Sequence, residues 1–432
     1  MPQRLYHPTR CACARMRTSI WSLLRSLSPA QRNTFTASFL GWMLDAFDFF
    51  LVVLVLSHLA TDFRKTVAEM AFAITVTLMM RPVGALLFGM LADRYGRKLP
   101  LMIDIAFYSL IELATAFAPN FGSFIVLRAL YGIGMGGEWG IGSALAMEAL
   151  PPASRGVFSG ILQEGYAAGY LLAAAAYGLL FHAIGWRGLF VVGALPALLV
   201  LYIRSAVPES TVWQRMRSAR RESALASLGA ALRGHGWLFV YAVALMSSFN
   251  FMSHGTQDLY PTFLEKQRGF STGTVALLTV VMNVGAICGG IAFGNWSQRW
   301  GRRRAIIVAA ILGVLVIPLW VFAPGAAFLG AAAFAMQCMV QGAWGVIPAH
   351  LNELSPSGVR GTFPGLSYQL GNLVAAGAAQ IEASVAARFS LPGGGHDYAR
   401  ALALIALTVF AAVILFTALG KEAKEADFTA QV

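Results

Sequence analysis

The sequence predicts an all-α integral membrane protein in which one six-helix unit is used twice, giving twelve transmembrane helices with both termini cytoplasmic. Three observations carry this. Of 432 residues, 57% are hydrophobic and 12% charged, where soluble domains carry about 25% charge. Apolar runs of about 20 residues, the length that crosses a bilayer, can be drawn twelve times. With Met1 inside, cytoplasmic segments hold 23 of the 32 Lys and Arg and external segments seven, an asymmetry that sets orientation. The net charge of +12 is therefore topological, and a nucleic-acid partner is excluded. The ten-residue dyads of an outer-membrane barrel are missing.

The spans fall near 36–58, 70–92, 99–118, 121–149, 156–181 and 186–205, then near 237–260, 272–297, 304–323, 327–349, 361–386 and 398–419. They divide the chain into a basic N-terminal tail (1–35), an N-terminal half (36–205), a cytoplasmic linker (206–236), a C-terminal half (237–420) and a C-terminal tail (421–432). The first apolar run is full length and lacks a small-residue cleavage site, so no cleavable signal peptide is expected. The linker stretch "WQRMRSARRESALASLGAALR" reads as an interfacial helix or as a solvated connector. Cys11 and Cys13 in the tail have no second pair at ligand spacing, and neither metal nor cofactor is expected. The 44 glycines suit helices that pack through small side chains.

The duplication rests on two motifs at one offset. "GMLADRYGRK" begins at Gly89 and "GNWSQRWGRRR" at Gly294, while "EALPPASRG" begins at Glu148 and "ELSPSGVRG" at Glu353, each pair 205 residues apart. Self-similarity at a fixed spacing marks a repeated unit. Gly89 lets two helices approach, and Asp93 with the Arg cluster can ion-pair at the cytoplasmic end. Gly89, Asp93, Arg94, Gly96, Arg97, Glu148 and Arg155, with Arg302, Glu353 and Arg360 from the second copy, are read as gating residues. Gln298 stands where Asp93 stands in the first copy, so the second latch is expected to be weaker.

The seventh span carries a dense polar stretch, "NFMSHGTQDLYPTFL" over residues 250–264. An Asp at a helix centre costs about 2.5–3.5 kcal/mol on insertion scales. At 100° per residue, Asn250, Ser253, His254, Gln257 and Asp258 share one face, and Pro261 weakens the outer end of the helix. Subtracting 205 carries Asn250 onto Asp45 and Ser253 onto Asp48. Transporters built from repeats bind near the midplane at the repeat interface, so this face is aimed at a central cavity. The bland alternative, in which His254 and Asp258 merely satisfy one another, leaves Asn250, Ser253 and Gln257 unexplained.

Other intramembrane polar groups are weighed in the same way. Arg81 lies mid-span in the second helix and Arg128 in the outer third of the fourth. Arg can hold a carboxylate bidentately, but Arg128 equally reads as a fixed partner of Asp45 or Asp48. Glu138 and Glu164 either carry a proton or bond a neighbouring kinked backbone, whereas Glu112 and Glu382 read as structural. Gln163, Tyr166, Asn283, Gln337 and Gln341 are further cavity candidates.

The motif Gly89-x-x-x-Asp93-Arg94-x-Gly96-Arg97-Lys98 resembles the loop signature between helices two and three of the major facilitator superfamily, and the layout agrees over nearly the whole chain. More narrowly, Asn250-x-x-Ser253-His254-x-Thr256-Gln257-Asp258-x-x-x-Thr262 resembles the signature of lactate and pyruvate permeases in the sialate:proton symporter family. "GWMLDAFDFF", "RALYGIGMGGEWG" and Gln369-x-x-Asn372 support it, although this chain is more compact than the family's fungal members. The resemblance implies a proton-coupled monocarboxylate carrier. The expected protein is a monomer, multi-pass in the cytoplasmic (inner) membrane, whose partners are a small carboxylate, a proton and the lipid bilayer. Asn250, His254, Gln257, Arg81, Arg128, Gln369 and Asn372 are expected to hold the anion, and Asp258, His254, Asp45, Asp48 or Glu138 the proton. The rivals are a symporter of sialic, aromatic or other organic acids and a transporter-like metabolite receptor, for which the dozen residues after the last span leave little signalling apparatus. No nucleophile–base pair, metal-ligand spacing or phosphate loop supports an enzyme.

Overall fold

The computed structural model describes residues 20–219, 224–391 and 396–428. Cys11, Cys13 and the first part of the basic tail lie outside these residues. Among the described residues nine helical segments are long and apolar enough to cross a membrane, and the glycine-rich fourth span and the broken sixth and eleventh complete the twelve. The first half comprises Pro29–Leu54 (continued by Leu56–Asp62), Val67–Tyr95, Lys98–Ala116, Phe121–Ala149, and the fifth span in two pieces, Arg155–Gln163 and the start of Gly165–Val192. Gly185 (φ 64°) breaks that last helix where the sixth span begins, which finishes as Ala197–Ala206.

The second half repeats the order with Ala224–Gln257, Thr272–Trp300, Arg302–Phe322, the pair Gly325–Trp344 and Ile347–Leu354, the pair Phe363–Val374 and Ala378–Ala386, and Tyr398–Leu419. Part of the linker, Thr211–Ala219, is helical. Helix starts are written locally. Ser28 with Gln31, Thr66 with Glu69 and Asn120 with Ser123 each form a reciprocal cap, which satisfies donors that a helix leaves unpaired. The turns after the second and eighth spans use Gly96 (φ 101°) and Gly301 (φ 95°), a left-handed geometry that favours glycine; they are again 205 apart.

The halves meet through glycines. A Cβ on Gly140 would stand 2.8 Å from Gly365 Cα, one on Gly89 2.7 Å from Thr362 Cα, and one on Gly156 2.5 Å from Gly294 O. Within the C-terminal half the buried side chains form one apolar cluster running from Leu245 and Phe249 to Trp320, Met336 and Phe410. The N-terminal core is divided. Phe47, Leu51, Phe124 and Phe190 belong to one cluster and Phe88, Ile105, Tyr108 and Tyr131 to another. Between them along the helices lie Asp45, Asp48, Asp104, Glu112, Arg128 and Glu138, none more than 1% exposed.

Candidate functional site

Between the halves lies a cavity of about 390 Å³. The polar face of the seventh span lines it as the helical spacing requires: Asn250, Ser253, His254, Gln257 and Asp258 all face it. The helix stops at Gln257, just before Asp258 and ahead of Pro261. His254 Nδ1 lies 3.0 Å from Asp258 Oδ2, and both side chains are about one-third exposed. Gln257 Nε2 donates to Gln337 Oε1 (3.0 Å), and Trp344 Nε1 donates to Ser253 Oγ (2.7 Å). Asn250 Nδ2 donates back to Met246 O (2.8 Å), leaving its second N–H and its carbonyl oxygen to offer a ligand.

Opposite stands Arg81. It lines the cavity, is 2% exposed, lies over the Tyr368 ring at 5.8 Å, and leaves Nε and Nη2 without hydrogen-bond partners. No carboxylate pairs with it among the described residues. Trp42 stacks on Tyr166 (5.3 Å), and Trp139 and Trp344 pack against Tyr368 (4.7 and 5.6 Å). Tyr368 and Trp344 were not singled out from sequence because aromatics abound in every span. Asn372, Gln163, Glu164, Tyr166, Asn283, Gln337 and Gln341 also line the cavity.

Five expected anion or proton residues lie elsewhere. Arg128 bonds Glu112 and Thr115 of the third span and does not line the cavity, so neither expected reading of it describes the contacts made. Glu112, at the third-span position facing it, takes the place foreseen for Asp45 or Asp48. Those two aspartates lie in the dry layer of the N-terminal half, where Asp48 packs beside Gly193 and Glu112, rather than on the cavity face of Asn250 and Ser253. Glu138 is buried against Gly41 in the same layer, which Asp104, unremarked in the sequence, also joins. Gln369 is fully buried, its amide unpartnered, and is not among the cavity-lining residues.

The face bearing the basic loops is closed by a charge network in two related copies. Asp93 accepts from Arg97 Nη1 (2.8 Å), Gly361 N (2.7 Å), Thr362 N (3.1 Å) and Thr362 Oγ1 (2.7 Å). Arg97 grips Glu148 through Nε (3.3 Å) and Nη2 (3.0 Å). In the second copy Gln298 Oε1 accepts from Gly156 N (3.0 Å) and Arg302 Nη2 (3.1 Å), and Arg302 grips Glu353 through Nε (2.8 Å) and Nη2 (2.9 Å). Asp93, Arg97, Glu148, Arg155 and Gly156 answer to Gln298, Arg302, Glu353, Arg360 and Gly361 at the offset of 205. Arg155 reaches Glu353 at 4.0 Å and Arg360 reaches Glu148 at 3.7 Å, each across the halves. Burial opposes the charge on Arg97, but Glu148 and Asp93 more than offset it and hold its pKa above the ordinary value. Burial pushes Arg360 down to about 10. Arg94 stays outside the network, exposed over the Tyr95 ring at 5.2 Å. With the cytoplasmic face shut in this way, the cavity is outward-facing.

The segment after each half covers its own copy. Glu209 accepts from Arg97 N (2.8 Å), and Trp213 Nε1 donates to Asp93 O (2.9 Å). Glu422 accepts from Arg302 N (3.2 Å) and Arg303 N (3.1 Å), and Glu425 N donates to Glu353 Oε1 (3.2 Å).

A two-copy charge network closing one face beneath a polar cavity, at the interface of two repeated six-helix halves, is the arrangement of an alternating-access carrier. The sequence profile of the Major Facilitator Superfamily matches residues 38–379, and the chain belongs to that family, whose members are multi-pass membrane transporters and not enzymes. It is 30% identical over 438 residues to a carboxylic acid transporter protein homolog of Saccharomyces cerevisiae, covering 95% of this chain and 71% of that one. It is 28% identical over 349 residues to the sialic acid transporter NanX of Escherichia coli, covering 80% and 85%. The proton:xylose symporter XylE bound to 6-bromo-6-deoxy-D-glucose shares the fold at TM-score 0.72 and 18% identity, over 93% of this chain and 98% of that chain.

Proposed function

We propose that this transporter moves a small monocarboxylate, of the lactate or pyruvate class, together with one proton across the cytoplasmic membrane by rocking of its halves. The observation that carries this is Arg81: a buried guanidinium facing the cavity with free donors and, among the described residues, no carboxylate within ion-pair distance. An unpaired buried charge is costly, and a substrate carboxylate is its natural complement. Asn250, His254, Gln257 and Asn372 supply the remaining polar contacts. The proton neutralises the load, so that only the doubly loaded or the empty carrier crosses readily. Asp258, hydrogen-bonded to His254, is the cavity's candidate carrier. The seventh-span signature and the yeast carboxylic acid relative support the substrate class.

One alternative keeps the mechanism and enlarges the cargo. The cavity is roomier than lactate requires, and NanX is named for a larger acid, so a sialic or aromatic acid is the competing substrate. Proteoliposomes with an acidic exterior should accumulate labelled lactate or pyruvate and lose this with a protonophore. Accumulation driven by sodium alone, or competition by larger acids but not by lactate, would sink the proposal. In the same vesicles Asp258→Asn should keep substrate exchange and lose at least about tenfold in gradient-driven accumulation, the mark of a permanently neutral carrier.

A further inference from the structure

The fifth span breaks at Glu164, between helices Arg155–Gln163 and Gly165–Val192. At this break the Glu164 side chain lies against the eighth span in the other half, where its Oε1 is pressed onto Gly290 so closely that no Cβ fits there. Glu164 is 5% exposed, its Oε1 has no hydrogen-bond partner, and the residue lines the cavity. It thus stands at the cavity floor. Beneath it the fifth and eighth spans touch backbone to backbone, Gly160 against Gly290 and Gly156 against Gly294. This seam has to part when the cytoplasmic face opens.

The repeat supplies a control. Adding 205 carries Glu164 onto Gln369 and Gly290 corresponds to Ala85; Gln369 is likewise fully buried with its amide unpartnered. The same packed position in the other half therefore tolerates a neutral, isosteric group. A protonated carboxyl is such a group and an ionised one is not, because burying the charge without a partner carries the full desolvation cost. No cation pairs with Glu164 among the described residues. The titratable groups on neighbouring helices are the Cys338 thiol on the tenth span and, beside it, Cys288 on the eighth. His350, on the segment that also packs here, faces Arg302, Arg303 and Glu422 instead. Arg81 lines the same cavity, and Glu138 on the fourth span faces Asp45.

We propose that Glu164 is a proton-binding site that couples protonation to the seam between the fifth and eighth spans. A hydronium in the outward-facing cavity gives its proton to the carboxylate, leaving water and a neutral acid that packs dry against Gly290. When the seam parts, cytoplasmic water reaches the carboxyl, the proton leaves as hydronium, and the anion stays hydrated. The closed seam binds the proton more tightly than the open one, so rising pH drives the closed form toward the open. This deepens the proton-coupled reading above and rests on it, with Glu164 binding the proton that controls the seam and Asp258 the one that travels with the substrate.

The test needs no substrate. Hydrogen–deuterium exchange of the full chain in lipid nanodiscs, corrected for intrinsic rate, is followed in peptides covering residues 155–163 and 290–300 between about pH 5.5 and 8. In the wild type, exchange should rise by up to about tenfold per pH unit within the window, the limit for one coupled proton. Glu164→Gln should stay protected throughout, and Glu164→Asp should restore the step. Glu164→Ala, also neutral, carries the same expectation should the Gln variant fail to fold. A neutral variant that keeps the wild-type step overturns the inference alone. A flat wild-type profile also overturns the inference, while the proton-coupled reading, whose candidate carrier is Asp258, is tested separately by the gradient-driven uptake assay above.

Discussion

The two halves share a backbone plan and differ in what they bury. Register is pinned at both ends of the third and fourth spans, since Asp93 answers to Gln298 and Glu148 to Glu353 at one offset of 205. Carried across, Asp104, Glu112, Arg128 and Glu138 become Ala309, Ile317, Ala333 and Ala343, all in the continuous apolar core of the C-terminal half. Asp45 and Asp48 become Asn250 and Ser253, which face the cavity. The fold therefore does not require the ionisable layer, and burying one is costly. The N-terminal half buries this group of titratable side chains, while at the equivalent positions of its first helix the C-terminal half turns Asn250 and Ser253, with the His254–Asp258 pair beyond them, to the cavity.

The largest expected effect breaks that asymmetry at its cation. Arg128→Leu leaves Glu112 and its neighbours without their countercharge, and should cost about 3–5 kcal/mol of stability, read as a lowered unfolding midpoint in detergent. Ala333→Ser, a polar change at the equivalent position, should cost within about 1 kcal/mol, since a helical hydroxyl can bond its own backbone. Adding Glu112→Leu to the Arg128 variant should recover part of the loss. Equal effects at Arg128 and Ala333 would mean that the layer is not held by this ion pair.

The gate shows the same asymmetry on a smaller scale. Asp93 accepts four bonds as an anion, three of them from the opposite half, whereas Gln298 makes its cross-half bonds as a neutral amide to Gly156 and Pro152. Bonds to charged groups contribute about 1.5–3 kcal/mol and neutral ones about 0.5–1.5. Asp93→Asn should shift the conformational balance toward an open cytoplasmic face by about tenfold, with Gln298→Ala shifting it severalfold less. Side-specific labelling of cavity cysteines reads both. Substrate affinity should stay nearly unchanged, and a large affinity loss with normal balance would contradict the gating role.

The twelve spans, the duplication and the cavity-facing side of the seventh span were legible because each rests on a period or an offset that local sequence carries. So were the place of Arg81 on the cavity and the charge network at the basic face, Arg94 excepted. What could not be read is which buried partner a charge selects. Arg128 had several carboxylates in reach along the chain, and its choice of Glu112 depends on how the third and fourth spans pack. Gln369 matched a signature yet lies outside the cavity lining. The caps Glu209 and Glu422 escaped notice because they lie beyond the spans, 213 residues apart rather than 205.

The smallest expected effect concerns the C-terminal tail, which does something the linker does not. The linker touches its own half's gate copy, whereas the tail bridges the halves: Arg155 Nη1 donates to Ala426 O (2.8 Å), and the buried Phe428 ring lies 3.6 Å from the Arg155 guanidinium and 4.0 Å from that of Arg360. Arg155 belongs to the first half and Arg360 to the second, so the ring is held only while the cytoplasmic face is shut. A cation–π contact contributes about 0.5–2 kcal/mol. Phe428→Ala should therefore shift the balance toward the open face by about twofold, less than Asp93→Asn in the same labelling assay. Phe428→Leu separates the causes, since it keeps apolar burial and removes the π-face. An intermediate shift for Leu assigns part of the hold to the guanidinium contacts; wild-type behaviour for Leu would reduce the tail to simple packing, and wild-type behaviour for Ala would remove it from the gate.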